Sequence, residues 1–495
     1  MAKEYLNYID SEWRPALSGE WFENRNPADW DEVVGLFPKS DECDVKEAVK
    51  VARKAFAEWR LVPAPERGAI LKRVGDLMVE RKEQLARDMT REMGKVLAET
   101  RGDVQEGIDT AYYAAVEGRR LFAYTAPSEM RNKVNMSFRI PIGVAGLITP
   151  WNFPMAIPCW KTLPALICGN TIVFKPASDT PLTATHLVEI YIEAGIPQGV
   201  VNLVHGGGGK VGSAIVGHPD INLISFTGSS SVGKEINSRA GAQLKRVSLE
   251  LGGKNGLIIM DDADLELALE GVLWGAFGTT GQRCTATSRL IIHEKVHDQF
   301  VNMLVRAAEG IKVGNGLDES VKMGPAVNQG QLNTDHSYVE IGLKEGAKLI
   351  TGGRILKDGD HAKGWFYAPT IFTGVTPEMR IFREEIFGPV LSVVKVKDFD
   401  EAVKVHNDCI YGLSSAIYTR DVNLAFRAMR DLEAGITYVN GPTIGAECHM
   451  PFGGVKETGN GHREGGWPVY EFYSELKTVY VDFSGRLQRA QIDNY

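Results

Sequence analysis

From residue 142 onward, short apolar runs alternate with longer stretches at helical spacing, and no other feature limits the fold as much. IGVAGLIT and TIVFKP read as buried strands, followed by VVNLVHG, LISFT, RVSLE and GLIIM, with helical text such as residues 180–194 between them. Strands that alternate with helices of about ten residues make a parallel sheet covered on both faces, a doubly wound α/β fold. A second α/β region follows, with helices expected near 264–275, 295–312 and 399–408 and strands in SRLIIH, SSAIYT and GITYVN. Before residue 142 the text is different. The first forty residues suit short antiparallel strands. Val45, Val49, Ala52, Phe56 and Trp59 then recur at helical spacing behind an expected capping box of Asp44 and Glu47. Further helices, broken at Pro63 and Pro65, run to about residue 122. Residues 123–140 read as an exposed ribbon, and the tail from ELKTVYV alternates like a strand. On pattern alone the two are equally a subunit contact or a pair of solvated edges.

A chain of 495 residues is too long for one core, so two or three domains are expected. Net charge is −8 without a Lys/Arg block, so nothing suggests a nucleic-acid footprint or a polybasic membrane surface. No apolar run approaches the roughly 18 residues of a membrane span. The start, MAKEYLNYIDSEW, lacks the layout of a signal peptide, so a cytoplasmic chain is expected. The six cysteines, at 43, 159, 168, 284, 409 and 448, form no CxxC pair, and no histidines cluster at ligand spacing. Neither a disulfide framework nor a metal site is expected.

Several short stretches carry the chemistry. Gly207, Gly209 and Gly212 stand in GxGxxG register after a strand, which suits either a phosphate or a flexible turn. FTGSSSVG (226–233) also follows a strand and opens a helix, offering free N–H groups and the Ser229 hydroxyl to an anion. Two such turns in one sheet favour a dinucleotide. Lys175 ends a strand in VFKPASDTP, where open α/β sheets bind ligands, although strand-end lysines in solvent are common. Asn152, in ITPWNFP, is a stiffly held amide that suits an oxyanion donor, or simply a turn. Glu250 lies among apolar residues before Gly-Gly, where a raised pKa would make it a base near neutral pH, unless it is purely structural. Cys284 sits in GTTGQRCTATSR with small neighbours that give access and Arg283 to add positive potential. By itself the stretch favours a quiet core thiol.

Together, ITPWNFP, VFKPAS, FTGSSSVG, LELGGK, GQRC, EEIFGPV (384–390) and PFGGVKETG (451–459) resemble the aldehyde dehydrogenase superfamily in identity and order, over essentially the whole chain. GQRCTATSR and the TIGAE…PFGG loop are most similar to bacterial enzymes of the 2-oxoglutarate semialdehyde dehydrogenase type. The resemblance implies a Rossmann-type cofactor domain (1–122 and 142–251), a catalytic domain (252–468) and a small β oligomerisation flap (123–141 and 469–495). It further implies a homodimer or homotetramer. Cys284 would attack a small-molecule aldehyde, Asn152 with the Cys284 N–H would hold the oxyanion, and Glu250 would activate water against the thioester. Lys161 and Glu464 would form a proton path from Glu250. NAD or NADP would be held by Ile148, Thr149, Trp151, Lys175, Ser178, Gly208, Gly212, Phe226, Gly228, Ser229, Val232, Leu251, Gly252, Glu385 and Phe387. Phe153, Trp160, Arg283, Thr285 and Phe452 would line the substrate tunnel. Arg101 is a candidate for a distal substrate carboxylate, or a surface ion pair.

Two departures from the family pattern matter. GNGHRE carries one residue more than the common GxGRE before Glu464. Ser178 stands where strict NAD enzymes often carry a glutamate that repels a 2′-phosphate, so NADP should be accepted. Relatives that release the acyl group to coenzyme A typically lack the carboxylate found here as Glu250, so release of a free acid is expected. A non-catalytic binding role would leave these three chemical positions unexplained.

Overall fold

The computed structural model describes residues 2–493. It opens with β1 (Asn7–Ile9), β2 (Glu12–Arg14) and the hairpin β3 (Trp21–Asn26) and β4 (Asp29–Pro38), the short antiparallel strands that the turn-rich start suggests. α1 (Glu42–Trp59) begins one turn earlier than expected. Asp41 is its cap, accepting the Cys43 N–H at 2.8 Å, and Asp44 closes the box by accepting the Asp41 N–H at 3.2 Å. Asp44 is buried and also accepts the Leu17 N–H, which draws it into the third helical position and displaces the expected Asp44–Glu47 box.

α2 (Ala64–Met93) starts behind Pro63 with Pro65 in its first turn, where a missing N–H costs nothing. α3 (Leu97–Glu117) stops short of residue 122. Gly118 follows it and packs so close to the Ala64 carbonyl that no side chain fits.

After β5 (Thr125–Pro127) and β6 (Lys133–Pro141) come β7 (Val144–Ile148), α4 (Ala156–Ile167), β8 (Thr171–Lys175), α5 (Pro181–Ala194) and β9 (Val201–Leu203). A π turn at Gly208–Gly212 leads into α6 (Ser213–Gly217), then β10 (Leu223–Thr227), α7 (Ser230–Gly241) and β11 (Arg246–Glu250). The sheet runs β11-β10-β7-β8-β9-β1-β2 and is parallel from β11 to β9. Its chain order reverses between β10 and β7. Such a reversal opens a crevice above the carboxyl ends of those strands, where open α/β sheets bind ligands.

RVSLE and GLIIM, close in sequence, go to different sheets. β12 (Asn255–Ile259) lies inside a second sheet with β13 (Thr287–His293), β14 (Lys348–Thr351), β15 (Thr370–Thr373), β16 (Val390–Val396), β18 (Ser414–Tyr418) and β19 (Ile436–Val439). β17 (Tyr411–Gly412) pairs instead with β20 (Val455–Lys456). The second sheet's order is β14-β15-β16-β13-β12-β18-β19, parallel except at β14. α8 (Leu265–Phe277) packs on β13 and ends just before the cysteine loop.

The ribbon and the tail form one unit. β21 (Ser474–Asp482) pairs antiparallel along all of β6, and β5 completes a three-stranded sheet. Phe138, Ile140, Leu476, Tyr480 and Val481 on it are exposed. Among the described residues no helix is long and apolar enough to cross a membrane.

Asn170 fastens that sheet to the first one. Its side-chain oxygen accepts the N–H groups of Ile142 (2.8 Å) and Gly143 (3.0 Å), and its amide donates to the carbonyls of Ala165 (3.2 Å) and Tyr473 (2.8 Å). The residue is fully buried. Asn170→Ala strands those groups away from water, so it should cost on the order of 3 kcal/mol and lower the midpoint in a thermal melt.

Candidate active site

Loops from both sheets meet over the crevice. Pro150, Trp151 and Asn152 follow β7, Gly228 and Ser229 follow β10, and Leu251 and Gly252 follow β11. With Cys284, Gln331, Glu385 and Phe387 they enclose a cavity of about 240 Å³. A second cavity, of about 430 Å³, is lined by Phe153, Trp160, Glu250, Trp274, Arg283 and Phe452, with Thr285 and Glu464 also in its wall. Cys284 and Leu251 belong to both walls. The cysteine therefore stands between two chambers.

Its loop is held from several sides. Thr279, Thr280 and Gly281 have φ of 52°, 60° and 69°, a left-handed run that only glycine adopts freely. Both carboxylate oxygens of Glu99 lie 2.9 Å from the Thr279 N–H. The Arg283 guanidinium bridges Glu99 and the Thr279 hydroxyl, each at 2.9 Å. Asn255 donates to the carbonyls of Cys284 (2.8 Å) and Ala286 (2.9 Å), and the Thr443 hydroxyl to that of Thr285 (2.6 Å). Asn152 is buried and donates to the Gln282 carbonyl at 3.1 Å, which leaves its second amide N–H without a partner among the described residues.

Burial pushes the half-buried Cys284 thiol up to about 12, and the charges of Glu250 and Glu385 add to this. The backbone N–H groups of Thr285 and Cys284 pull the other way. Arg283 does not supply the positive potential expected of it, because Glu99 already neutralises it. Burial, then the neighbouring Glu464, holds the Glu250 carboxyl well above the carboxylate range, and neither of its oxygens has a hydrogen-bond partner among the described residues. Lys161 pairs with Glu464 at 2.6 Å and donates to the Ser225 hydroxyl at 2.8 Å. The extra residue in GNGHRE does not displace Glu464, because it exchanges backbone hydrogen bonds with Phe452.

On the smaller chamber's side, Lys175 is buried at the end of β8, not in solvent. Its ammonium donates to the Pro176 carbonyl at 2.6 Å, and burial lowers its pKa to about 8. Gly212 faces Ile148 and Lys175, and a Cβ there would stay 3.9 Å from each. Gly208 has open space beside it, and the Ser178 hydroxyl donates to the Gly206 carbonyl at 3.3 Å. Thr149 and Phe226 are buried beneath, and the Thr149 hydroxyl lacks a partner among the described residues. Ser229 is the residue before α7, its hydroxyl meeting only Ser231, at 3.3 Å, among the described residues, and Val232 is exposed in the first turn. Glu385 accepts the Gly253 N–H at 2.9 Å and fills the space a Cβ on Gly252 would need; burial raises it to about 7. Phe387, at φ 63°, meets Trp151 edge-on with centroids 5.4 Å apart.

On the larger chamber's side, Trp160 and Phe452 pack with ring centroids 4.9 Å apart. Arg101 is not in this wall. It pairs with Glu83 (2.8 Å) and Glu319 (3.1 Å), because the face of α3 turned to the cavity carries Ala98, Glu99, Gly102, Asp103 and Glu106. Sequence reading missed Glu99, Asp103, Glu106, Trp274, Asn255, Gln331 and Thr443. Glu99, Asp103 and Glu106 were within reach of it, since their spacing puts three acids on one helical face beside small residues.

Two sheet-built bodies, with a thiol at their junction and an anion-accepting helix start beside it, define a dinucleotide-linked oxidoreductase architecture. The aldehyde dehydrogenase family model matches residues 13–479. The chain is 42% identical over 477 residues to the alpha-ketoglutaric semialdehyde dehydrogenase of Bacillus subtilis (strain 168), covering 96% of this chain and 98% of that one. It is 43% identical to aldehyde dehydrogenase 1A1 of Rattus norvegicus, over 96% and 95% of the two chains. Among solved structures, an NAD-dependent aldehyde dehydrogenase from Sinorhizobium meliloti superposes with a TM-score of 0.95 at 36% identity, over 99% and 97% of the chains. The chain belongs to the aldehyde dehydrogenase family.

A Cβ on Gly281 would collide with the Gly388 carbonyl, and its φ is left-handed. Gly281→Ala should therefore shift the cysteine loop and lower kcat/KM by at least about tenfold in steady-state assays with any aldehyde turned over.

Proposed function

We propose that the protein oxidises an aldehyde to the free carboxylic acid with NAD or NADP, through a thiohemiacetal and then a thioester on Cys284. The observation that carries this reading is the place of Cys284 in the walls of both chambers, with the Asn152 amide and the unpartnered Glu250 carboxylate at hand. The aldehyde enters by the larger chamber. The Cys284 thiol gives its proton to a water molecule in the chamber as its sulfur bonds to the carbonyl carbon. The free Asn152 N–H and the Cys284 N–H hold the alkoxide that forms. After loss of hydride, Glu250 takes a proton from water, the hydroxyl adds to the thioester, the carbon–sulfur bond breaks, and the sulfur regains a proton. Glu464, Lys161 and Ser225, hydrogen-bonded to one another beside Glu250, would take on the proton that Glu250 draws from water.

The smaller chamber fits a dinucleotide. Ser229 and the start of α7 suit the phosphates, Gly212 leaves room above Lys175, and Glu385 offers a carboxylate to a ribose. Bound there, NAD or NADP would supply the hydride acceptor. Ser178 offers a 2′-phosphate a hydroxyl and no repelling charge.

Residues 1–122 with 142–251 form the cofactor domain in this reading, 252–468 the catalytic domain, and 123–141 with 469–495 the subunit contact. Apolar side chains exposed on the three-stranded sheet support that contact and hence a homodimer or homotetramer. All six cysteines are free, which suits the reducing cytoplasm.

Glu250→Gln should still give a first turnover of reduced nicotinamide in rapid mixing, followed by a steady state slower by about two orders of magnitude. In the parent, the raised Glu250 carboxyl must ionise before it acts as a base, so thioester hydrolysis should quicken as pH rises above the ordinary carboxylate range. Cys284→Ala should give no reduced nicotinamide, and activity surviving it would defeat the mechanism. Ser178→Glu should raise KM for NADP by about tenfold or more and leave KM for NAD within a few-fold, measured with one aldehyde at saturation.

A further inference from the structure

Where the three-stranded sheet meets the first body, a further cavity of about 450 Å³ has four arginines in its wall. Arg60 follows α1, Arg67 lies in the first turn of α2, Arg119 follows α3 and Arg139 stands near the end of β6. No acidic side chain lines it among the described residues, and it shares no wall residue with the two chambers around Cys284. Arg67 is 5% exposed. Its Nε donates to the Ile167 carbonyl at 3.0 Å and its Nη1 to the Val62 carbonyl, while its Nη2 has no hydrogen-bond partner among the described residues. Burial lowers its pKa, and the one group opposing this is the Cys168 thiol, which burial itself pushes up to about 12 and leaves uncharged. Arg60 and Arg119 make no side-chain hydrogen bond or ion pair among the described residues. Arg139 is better supplied. It donates to the Phe122 carbonyl (2.7 Å) and the Ser474 hydroxyl (3.1 Å) and pairs with the exposed Glu471 at 3.4 Å.

A guanidinium keeps its charge at any pH a protein meets, so burying one without an anion is costly. Here that charge is reinforced by two unpaired neighbours and by the positive end of α2, a 30-residue helix whose start at Pro63 and Ala64 is in the wall. We propose that the cavity binds a small organic phosphate, its dianionic head among Arg60, Arg67 and Arg119 and its carbon part against Leu61, Leu121 and Ile140. The guanidinium fork matches phosphate oxygens, and a phosphate monoester brings nearly two negative charges at neutral pH. The three apolar side chains give a bare ion nothing to touch on that side of the wall, which favours an ester over inorganic phosphate. An occupant touches α2 and the end of α3 in the first body and β6 in the three-stranded sheet at once, so it braces that sheet and stabilises the folded chain. This site is independent of the aldehyde reaction proposed above.

The test is calorimetric titration of the full chain at fixed ionic strength, with NAD saturating so that phosphate cannot enter the dinucleotide chamber. Phenyl phosphate, inorganic phosphate and citrate are the probes. Phenyl phosphate should bind with a Kd of about 1 mM or below, and the other two at least about threefold more weakly. The double variant Arg60→Gln, Arg119→Gln, whose altered positions are exposed, should weaken phenyl phosphate by about tenfold or more and remove the rise it gives the thermal midpoint. Its kcat and KM with an aldehyde should stay within about twofold of the parent. Arg67→Lys keeps the charge, loses the fork and should weaken binding likewise. No heat from phenyl phosphate at about 10 mM overturns the proposal, as does citrate binding more tightly or binding that the double variant leaves intact. So does a smaller assembly of the double variant in sedimentation with no phosphate binding in the parent, because the arginines would then be meeting an acidic side chain of a second copy.

Discussion

The site depends on a half-buried carboxylate holding a backbone turn that its residues resist. Thr279 and Thr280 are β-branched and left-handed, a combination that is strained without outside support. Glu99 supplies that support from α3, on the far side of the junction, by accepting the Thr279 N–H and anchoring Arg283. The loop is thereby tied to the helical layer of the first body while it feeds β13 of the second. Asn255 and Thr443 secure the carbonyls on the other flank. With its backbone fixed at both ends, Cys284 is held in the wall between the chambers.

Desolvation then sets the resting chemistry. The thiol and the carboxyls of Glu250 and Glu385 are all pushed toward their neutral forms, chiefly by burial. A thiol at rest in this way is protected from adventitious attack, and in the reaction proposed here it must lose its proton as it attacks the aldehyde. The same desolvation makes Glu250 a stronger base than a solvent-exposed carboxylate. Deeper in the wall, Lys161 and Glu464 pair at 2.6 Å, so that neither buried group is left without a partner.

The pattern of strands was legible because each parallel strand is buried on both faces and writes a continuous apolar run, as in Val144–Ile148 and Thr171–Lys175. Which sheet a strand joins was not legible: RVSLE and GLIIM read alike and part company across Leu251–Lys254. The helix start at Asp41 was misplaced because two acids in DECD both qualify as caps, and only the burial of Asp44 separates them. Within the site, motif residues announced themselves by unusual text, such as asparagine between aromatics and prolines. Asn255 and Thr443 did not, since their task is to bind backbone belonging to distant segments, which a local pattern does not record; for Glu99, helical spacing records the face it shares with Asp103 and Glu106 but not the loop it binds. Arg101 shows the converse failure. Its chemistry suits a carboxylate, but a rotation of less than half a turn along α3 separates the cavity face from the solvent face, and it lies on the latter with Glu83 and Glu319.

The most direct test of Cys284 as the covalent centre is to acid-quench the enzyme during turnover of an aldehyde with NAD and map the peptides by mass spectrometry. The account predicts an acyl group, with the mass of the aldehyde less one hydrogen, on the peptide containing Cys284 and on no other. Formation of reduced nicotinamide with no adduct on Cys284, or with the acyl group on Cys448 or another cysteine, would contradict it.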